Sequence, residues 1–575
     1  MPSAQATLAP LVSTAIEHAF GTEHRDADPV LRPSQFADLQ SNAALPLAKR
    51  LGMPPRDVAE RIVAALDVDD VCDRVEISGP GFINLTLSQA WLSSATRVLV
   101  SDPRHGVPQP TPERIVIDYS APNVAKEMHV GHLRTTVVGD ALARLLEHLG
   151  HTVIRQNHIG DWGTPFGLLI EHLLDVGEGS DDALLVETDP NAFYQAARRK
   201  FDADPEFAAR ARTRVVALQS GDPETLRLWK ELLDLSKQYF NAIYSRLGVS
   251  LSDADLAGES SYNDDLPRVT AELIDAGIAT ISDGALCVFL DGFTGREGKP
   301  LPLIIRKSDG GYGYATTDLA TVRHRVRNLS ADRILYVVGA PQSLHLEMVW
   351  ATARKAGWLP DDAQPVHVKI GNVLGPDRKI LKTRSGAPLR LMALLDEAVA
   401  TADATIAADR PGMSAAERAR LAPRVGVGAV KYADLSVAHD SEYVFDLDRM
   451  VALNGNTSRY LQYAVARTRS IFRKADDTAM DLDSIAITQT EERALAMSLL
   501  EFGDVIAEVG RALEPHRLCT YLFDLAQTYS VFYEQCPILK AAPHVHASRL
   551  ALTGLTRDVL VRGLHLLGIE APATM

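Results

Sequence analysis

Cysteine is scarce in this chain: Cys72, Cys287, Cys519 and Cys536 are the only four among 575 residues, scattered and with no C-x-x-C pair. Neither a zinc ribbon nor a disulfide framework fits, and a reducing cytosol is the simplest home. Also missing is any apolar run long enough to cross a bilayer. Residues 1–5 lack the basic start and uninterrupted apolar stretch of a signal peptide. A cytoplasmic protein without membrane contact is therefore expected. Positive charge is in deficit, the formal net charge being −15. This does not exclude a nucleic-acid partner, because binding depends on a local basic face and not on the total. There is no tandem repeat or low-complexity tract, and nothing demands an oligomer, so a monomer is expected. What is present is ordinary globular usage, 46% hydrophobic and 23% charged, enough for roughly three or four domains.

Residues 1–100 read as a small mixed α/β domain. Helical patterns lie near Leu11–Phe20 and Arg56–Leu66, and a strand-like run covers Gly81–Leu87. Helix-breaking residues crowd 102–112, which predicts a linker. Beyond it, Arg114–Ser120 is a short apolar run that predicts a buried strand. Apolar residues then recur at Leu133, Val137, Val138, Ala141, Leu142, Leu145, Leu146 and Leu149, the period of an amphipathic helix closed by Gly150. Thr152–Gln156 predicts a second strand, so the unit is βαβ with a parallel sheet. Similar runs return at Arg333–Val338 and Val366–Ile370, with a helix near Glu347–Lys355 between them. A doubly wound parallel sheet is thus expected, its halves separated by a largely polar and helical insertion at about 175–300. From Leu389 onward helices dominate: Leu391–Ala407, Ala415–Ala422, Thr457–Lys474, Glu491–Leu513, Leu518–Gln535 and Arg549–Leu567.

The segment Ser120–Arg134 holds the strongest chemical pattern. His129 and His132 flank Gly131 where the first strand gives way to a helix N-terminus. Ligands of open α/β sheets bind at the carboxyl ends of strands, and a helix N-terminus favours anions. Glycine would let a nucleotide approach the backbone, and two imidazoles can donate to phosphate oxygens as charge builds there. Two histidines with no nearby third ligand make a poor metal site. Histidines that merely seal a helix start are the plainer alternative, and the strand before and helix after weigh against it.

His129-Val-Gly-His132 resembles the H-I-G-H signature of class I aminoacyl-tRNA synthetases. The longer signature run, Pro122, Asn123, Val124, Ala125, Lys126, Glu127, Met128, His129, Val130, Gly131 and His132, resembles the arginyl members specifically. So do Asn157–Gly167, Gly258–Asn263, Asp309–Asp318, Gly426–Leu435 and Asn454–Tyr460, in order along nearly the whole chain. The resemblance implies an α/β fold: a Rossmann-like class I catalytic domain at 109–390, a small N-terminal domain at 1–108 contacting the tRNA elbow, a helical connecting region at 391–450 and a helical-bundle anticodon-binding domain at 451–575. It implies an arginine–tRNA ligase that forms arginyl-adenylate from L-arginine and ATP and transfers arginine to the 3′-terminal adenosine of tRNA(Arg). Activation would depend on bound tRNA. Mg²⁺ would ride on the ATP phosphates, with no structural metal held by the protein.

The resemblance also implies roles. Lys379-Ile-Leu-Lys-Thr383 is a degenerate version of the second class I signature, K-M-S-K-S, flanked by Arg378 and Arg384. Lys379, Lys382, Thr383 and Arg384 would meet the ATP phosphates, and Lys126 would share that work beside His129, Gly131 and His132. Glu259 and Asp318 would hold the guanidinium, whose fixed fork of donors needs carboxylates placed for bidentate pairing. Asn123, Tyr314 and Gln342 would hold the rest of the amino acid, with His345 also lining the site. His158–Asp161 spells three letters of the first signature but ends in Asp; it is expected as a loop on the same sheet edge, without a phosphate role. In the C-terminal bundle Arg459, Tyr463 and Arg467 recur at i, i+4 and i+8 with Tyr460 alongside. Basic residues interleaved with aromatics suit phosphate contact and base stacking, although an ordinary amphipathic helix shows the same pattern. A small-molecule adenylyltransferase and a non-catalytic tRNA-binding paralogue are the rival readings. The helical C-terminal third opposes the first, and intact His129, Gly131, His132 and Lys382 oppose the second.

Overall fold

The computed structural model describes residues 3–124, 126–295, 298–381, 389–475 and 485–575. These divide into two compact units. One comprises residues 1–110 with 453–565 and 570–575, and the other residues 111–452 with 566–569.

The second unit is built on a four-stranded parallel sheet. Its spatial order is Gln364–Ile370, Arg333–Gly339, Arg114–Asp118, Thr152–Gln156. The first strand in sequence is thus internal: the chain moves one way to Thr152–Gln156, then returns to the other side for Arg333–Gly339. That reversal makes a topological switch point between Arg114–Asp118 and Arg333–Gly339, where crossovers diverge and leave a crevice at the carboxyl ends. Ile115, Val116 and Ile117 are fully buried, as a strand covered on both faces requires. Helix Val130–Leu149 follows the first strand and is closed by Gly150 at φ 105°. Helix Tyr314–Arg327 leads into the strand Arg333–Gly339. Its Arg325, wholly buried, donates to Asp118 Oδ2 and Gln156 Oε1, each at 2.7 Å. That double bond ties the helix to the last residues of two strands.

The insertion differs from expectation in one respect. Helices Pro190–Ala203, Pro205–Gln219 and Pro223–Leu247 are there, but an antiparallel sheet of Ala279–Ser282, Ala285–Thr294 and Pro300–Arg306 follows them. Buried positions along Ala285–Thr294 cluster at its start instead of alternating, so the sequence carries no period-two signal. Helices Leu391–Asp409 and Ala415–Leu435 complete the unit. The latter runs on through Pro423, where the breaker rule ends it at Ala422. The carbonyl that proline leaves unpaired belongs to Ala419, an exposed residue, so water can satisfy it.

In the first unit an antiparallel sheet, ordered Leu31–Pro33, Leu39–Ser41, Phe82–Leu87, Cys72–Ser78, packs with helices Ala4–Phe20, Ala44–Leu51 and Pro55–Ala64 around Leu8, Val12, Ile16, Ile62, Ile83 and Leu85. Five C-terminal helices join it: Ser458–Lys474, Thr490–Leu500, Phe502–Ala512, His516–Gln535 and Pro543–Leu566. The single helix expected over Glu491–Leu513 is broken at Glu501. Arg493 ties these helices to the antiparallel sheet of the same unit by pairing with Asp38 and donating to Leu87 O at 2.6 Å, and Ile487 N–H donates to Ser93 Oγ at 3.0 Å.

Candidate active site

The crevice is shaped by a sharp turn after the first strand. Ser120 and Ala121 both adopt left-handed backbone, φ 72° and 47°. For residues with a Cβ that costs roughly 1–2 kcal/mol each, and a buried polar network offsets it. Ala121 N–H donates to Asn157 Oδ1 at 3.0 Å, Asn157 Nδ2 donates to the Tyr244 hydroxyl at 2.9 Å, and that hydroxyl lies 2.8 Å from Ser120 Oγ. The turn sends Pro122–Val124 alongside Gly160: Gly160 N–H donates to Pro122 O at 3.2 Å and Val124 N–H to Gly160 O at 3.1 Å. A Cβ on Gly160 would stand 2.6 Å from Asn123 Oδ1, so any larger residue there would displace the Asn123 side chain. The His158–Asp161 loop, expected only to line the sheet edge, is paired directly with the signature segment.

His129 caps helix Val130–Leu149 and His132 completes the cap. Gly131 N–H donates to His129 Nδ1 at 3.0 Å, and His129 N–H donates to His132 Nδ1 at 3.1 Å. Both Nδ1 atoms therefore accept, which assigns the ring proton to Nε2 in each neutral imidazole. Burial, with Lys126 adding repulsion, lowers the His129 pKa; burial and then His129 push His132 down to about 3. Both rings are therefore neutral at pH 7, each with an Nε2–H available to donate. A Cβ on Gly131 would lie 2.8 Å from His129 Cε1. Glycine here makes room for the folded-back imidazole, a reason the bare pattern does not disclose.

Beyond the end of the second strand lies an acidic cluster. Asn157–Ile159 extends beyond the second strand and receives residues 255–259: Ala257 N–H donates to Asn157 O at 3.0 Å and Glu259 N–H to Ile159 O at 3.2 Å. Asp161, 2% exposed, accepts from Ser260 N–H at 2.9 Å and from its hydroxyl at 2.6 Å, which fixes the short helix Glu259–Asp265. Burial, then Asp318, then Asp161 push the Glu259 carboxyl up to about 8. Asp318, one turn into helix Tyr314–Arg327, bonds His345 Nε2 at 2.5 Å, and the His345 ring meets Tyr314 edge-on with centroids 4.8 Å apart. Tyr314 is 69% exposed despite its size. The structure thus joins Glu259, Asp318, Tyr314 and His345. Gln342 follows Gly339 at the carboxyl end of its strand, and Asn123 lies just beyond the end of Arg114–Asp118; both are exposed. Asp161 is the member of this group that sequence reasoning gave no part.

Positive charge gathers on the signature side. Lys126 Nζ lies 4.3 Å from the Tyr194 ring centroid, and Glu127 pairs with Arg390 at 2.7 Å. Arg390 also reaches Asp189 of the insertion at 3.1 Å. Its neighbours are stitched to the first signature, with Val130 N–H donating to Leu389 O at 3.0 Å and Leu391 N–H to Met128 O at 2.9 Å. Arg378 and Lys379 sit on a hairpin closed by Gly375 N–H to Lys379 O at 2.8 Å. Ala125, Lys382, Thr383 and Arg384 lie outside the described residues.

On helix Ser458–Lys474, Arg467 is flanked by Tyr463 and Tyr533, its guanidinium carbon 5.0 and 5.2 Å from their ring centroids. Tyr460 meets Phe523 at 5.5 Å. Arg459 departs from the expected basic face: in the first turn, 5% exposed, it points into the unit. Positions four apart on a helix drift in angle, and by the first turn the stripe has rotated inward.

Three family descriptions match the chain in order: "Arginyl tRNA synthetase N terminal domain" over residues 6–87, "tRNA synthetases class I (R), catalytic domain" over 94–447, and "DALR anticodon binding domain" over 461–575. The arginine–tRNA ligase of Thermobifida fusca is 67% identical over 577 residues, covering 100% of both chains. That of Frankia casuarinae is 52% identical over 574 residues, covering 98% of this chain and 97% of its own. Among solved structures, the arginyl-tRNA synthetase of Plasmodium falciparum superposes with a TM-score of 0.83 at 26% identity, covering 100% of both chains. The Thermus thermophilus arginyl-tRNA synthetase shares the fold at a TM-score of 0.80, with 24% identity over 99% of this chain and 100% of its own.

Proposed function

The chain belongs to the arginyl-tRNA synthetase family, and from that premise we infer how its residues divide the reaction. As an arginine–tRNA ligase it attaches arginine to tRNA with ATP as the energy source. The observation that carries our reading of the site is the cluster of Glu259, Asp318 and Asp161, in which burial first, and then repulsion from Asp318 and Asp161, raises the Glu259 pKa. A cation relieves that repulsion, and a planar guanidinium can bond two carboxylates at once. We assign Glu259 and Asp318 to the guanidinium, Tyr314 to the aliphatic stem, and Asn123 and Gln342 to the amino and carboxylate ends at the switch point.

The carboxylate of arginine then attacks the α-phosphate of ATP. Pyrophosphate leaves with the electron pair of the broken P–O bond, and Mg²⁺ brought in on the ATP phosphates would neutralise part of its charge. No protein nucleophile takes part. His129 and His132 donate Nε2–H to the phosphate oxygens, while Lys126, Lys379, Lys382, Thr383 and Arg384 stabilise charge that peaks on the leaving group. A ribose hydroxyl of the terminal adenosine next attacks the adenylate carbonyl carbon and AMP departs. Tyr460, Tyr463 and Arg467 take the anticodon arm, with buried Arg459 supporting their helix from inside. We place the enzyme in the cytoplasm as a monomer; its four buried free thiols suit a reducing compartment. Aminoacylation assays with arginine and each other amino acid test the whole reading: charging with arginine alone is expected, and failure to charge tRNA with arginine would overturn it.

Arginine binding should release a proton. Glu259, at about 8, is mostly protonated at pH 7 in the free enzyme and must ionise to pair with a guanidinium. Affinity therefore rises with pH up to about 8 and then levels, because above that value the group is already ionised. Calorimetric titration in two buffers of different ionisation enthalpy measures the release. An identical apparent enthalpy in both would remove Glu259 from the pocket.

Activation should also require tRNA. The second signature is degenerate at Lys379–Thr383, so bound tRNA would select the competent arrangement, which it can do only by binding that state more tightly. ATP–pyrophosphate exchange is expected to be nearly absent with arginine and ATP alone, and restored by intact tRNA but not by tRNA shortened at its 3′ end. Robust exchange without RNA would show that Lys379–Thr383 suffices as it stands.

A further inference from the structure

Arg134 has no place in the assigned chemistry, yet it is one of the largest fully buried side chains in the protein, at 1% exposure. It lies on helix Val130–Leu149, two residues past His132. Its guanidinium reaches three acceptors on another part of the chain: Nε donates to Asp434 Oδ1 at 3.0 Å, Nη1 to Ser441 O at 2.6 Å and Nη2 to Ala438 O at 3.4 Å. Tyr443 closes the cluster, its ring centroid 5.2 Å from the guanidinium carbon and its hydroxyl donating to Asp434 Oδ2 at 3.4 Å.

The segment held in this way carries the base of the second signature. Val373 and Leu374 pair in parallel with Tyr443 and Val444, Phe445 N–H donates to Leu374 O at 2.9 Å, and Gly371 N–H donates to His439 O at 2.8 Å. The hairpin with Arg378 and Lys379 rises directly from that pairing, and Leu381 N–H returns to Val373 O at 3.0 Å. On the far side of the signature, Leu389 and Leu391 are hydrogen-bonded to Val130 and Met128. Contacts thus hold both flanks of the signature: Leu389 and Leu391 on Val130 and Met128 at the start of the histidine helix, and Val373–Leu381 through Tyr443, Ser441 and Arg134 on the same helix.

We infer that Arg134 is a positioning residue for ATP activation, its buried fork on Asp434, Ser441 and Ala438 setting where the Arg378–Lys379 hairpin stands relative to His129 and His132. The inference rests on the reading that this hairpin meets the ATP phosphates. Lysine cannot replace arginine here, because a single ammonium on a flexible stem does not reproduce a rigid fork facing three acceptors. A displacement of about 1 Å at the reacting groups can cost roughly 10²-fold in rate. Asp434 and Tyr443 act in the same chain of contacts and should show the same effect at smaller amplitude.

The test is a double-mutant cycle on single-turnover arginyl-adenylate formation by the full-length enzyme with tRNA present. Arg134→Lys should lower the rate roughly 10²-fold and raise the KM for ATP, with arginine binding by calorimetry unchanged. Combined with Arg378→Ala and Lys379→Ala, it should add little to what those two changes already cost. Multiplying effects, or arginine binding weakened as much as ATP binding, would make Arg134 a general scaffold residue and overturn the inference. If Arg378→Ala with Lys379→Ala leaves activation intact, the phosphate role of the hairpin fails first and the inference falls with it. Should thermal melts show Arg134→Lys to be unfolded, Tyr443→Phe, which removes one hydroxyl, carries the same cycle: the same split between ATP and arginine supports the inference, and an unchanged ATP KM overturns it.

Discussion

Asp318→Asn is expected to raise the KM for arginine strongly while leaving ATP saturation nearly intact. Truncating one partner of a desolvated charge pair costs about 2–5 kcal/mol, or roughly 30-fold and upward in affinity. Asparagine keeps the shape of the side chain and one acceptor oxygen, so the bond from His345, 2.5 Å in the parent, can persist. What disappears is a negative charge beside Glu259. Two consequences follow with opposite signs. The guanidinium loses a partner, which weakens arginine binding. Glu259 also loses a neighbour that helps push its carboxyl up to about 8, so it ionises more readily and proton release on arginine binding shrinks. The first effect dominates, because a direct bidentate bond is lost while only a secondary repulsion is relieved. Initial rates across arginine and ATP concentrations separate the two substrates. Unchanged arginine saturation with impaired ATP saturation would move Asp318 to the nucleotide side and dissolve the proposed pocket.

Features carried by contiguous residues were legible in the sequence. The parallel strands at Arg114, Thr152 and Arg333 are short apolar runs, and the first two pair in parallel as the βαβ spacing predicts; their order in the sheet was not legible. His129 and His132 were legible because strand, loop and helix N-terminus adjoin in the chain. The antiparallel sheet at 279–306 was not: its long strand Ala285–Thr294 buries residues only near its start, and Pro300–Arg306 alternates but carries two prolines that argue against a strand. Long-range partners were also hidden. Asp161 clasps Ser260 99 residues away, and Arg134 meets Asp434 300 residues away. Each is one charged residue among many until folding removes it from water, and the usual fate of such a residue is the surface. Arg459 failed in the opposite sense: the helical period placed it on a basic stripe, but tertiary packing around the first turn turned it inward. A second reason for Gly131 was hidden for a similar cause, because the atom it accommodates is His129 Cε1, which only the capping geometry brings there.

His132→Ala is expected to slow arginyl-adenylate formation by about 10²–10³, the usual cost of losing one preorganised donor to developing charge. Arginine binding should hardly change, since Asp161 and Asp318 are bonded elsewhere, to Ser260 and His345. A structural contribution accompanies this loss, because His132 Nδ1 also accepts the His129 N–H at 3.1 Å, and loss of a helix cap costs about 1 kcal/mol in stability. His132→Asn separates the two roles. Its side-chain oxygen can still accept that N–H and keep the cap, while its amide cannot reach as far toward the phosphates as Nε2–H does. Rate loss in both variants with thermal stability lost only in the alanine variant would assign the rate effect to the donor. The pH profile gives a second readout. With the His132 pKa pushed down to about 3, the ring is neutral throughout the working range, and its contribution should be flat from about pH 5.5 to 8. A charged imidazolium would instead make activation fall as pH rises through the ordinary histidine value near 6.5. Rapid-quench measurement of adenylate formation with tRNA present decides between them: near-normal single-turnover activation in His132→Ala would remove the residue from the mechanism, and a fall near pH 6.5 in the parent that vanishes in the variant would show that it acts as a cation.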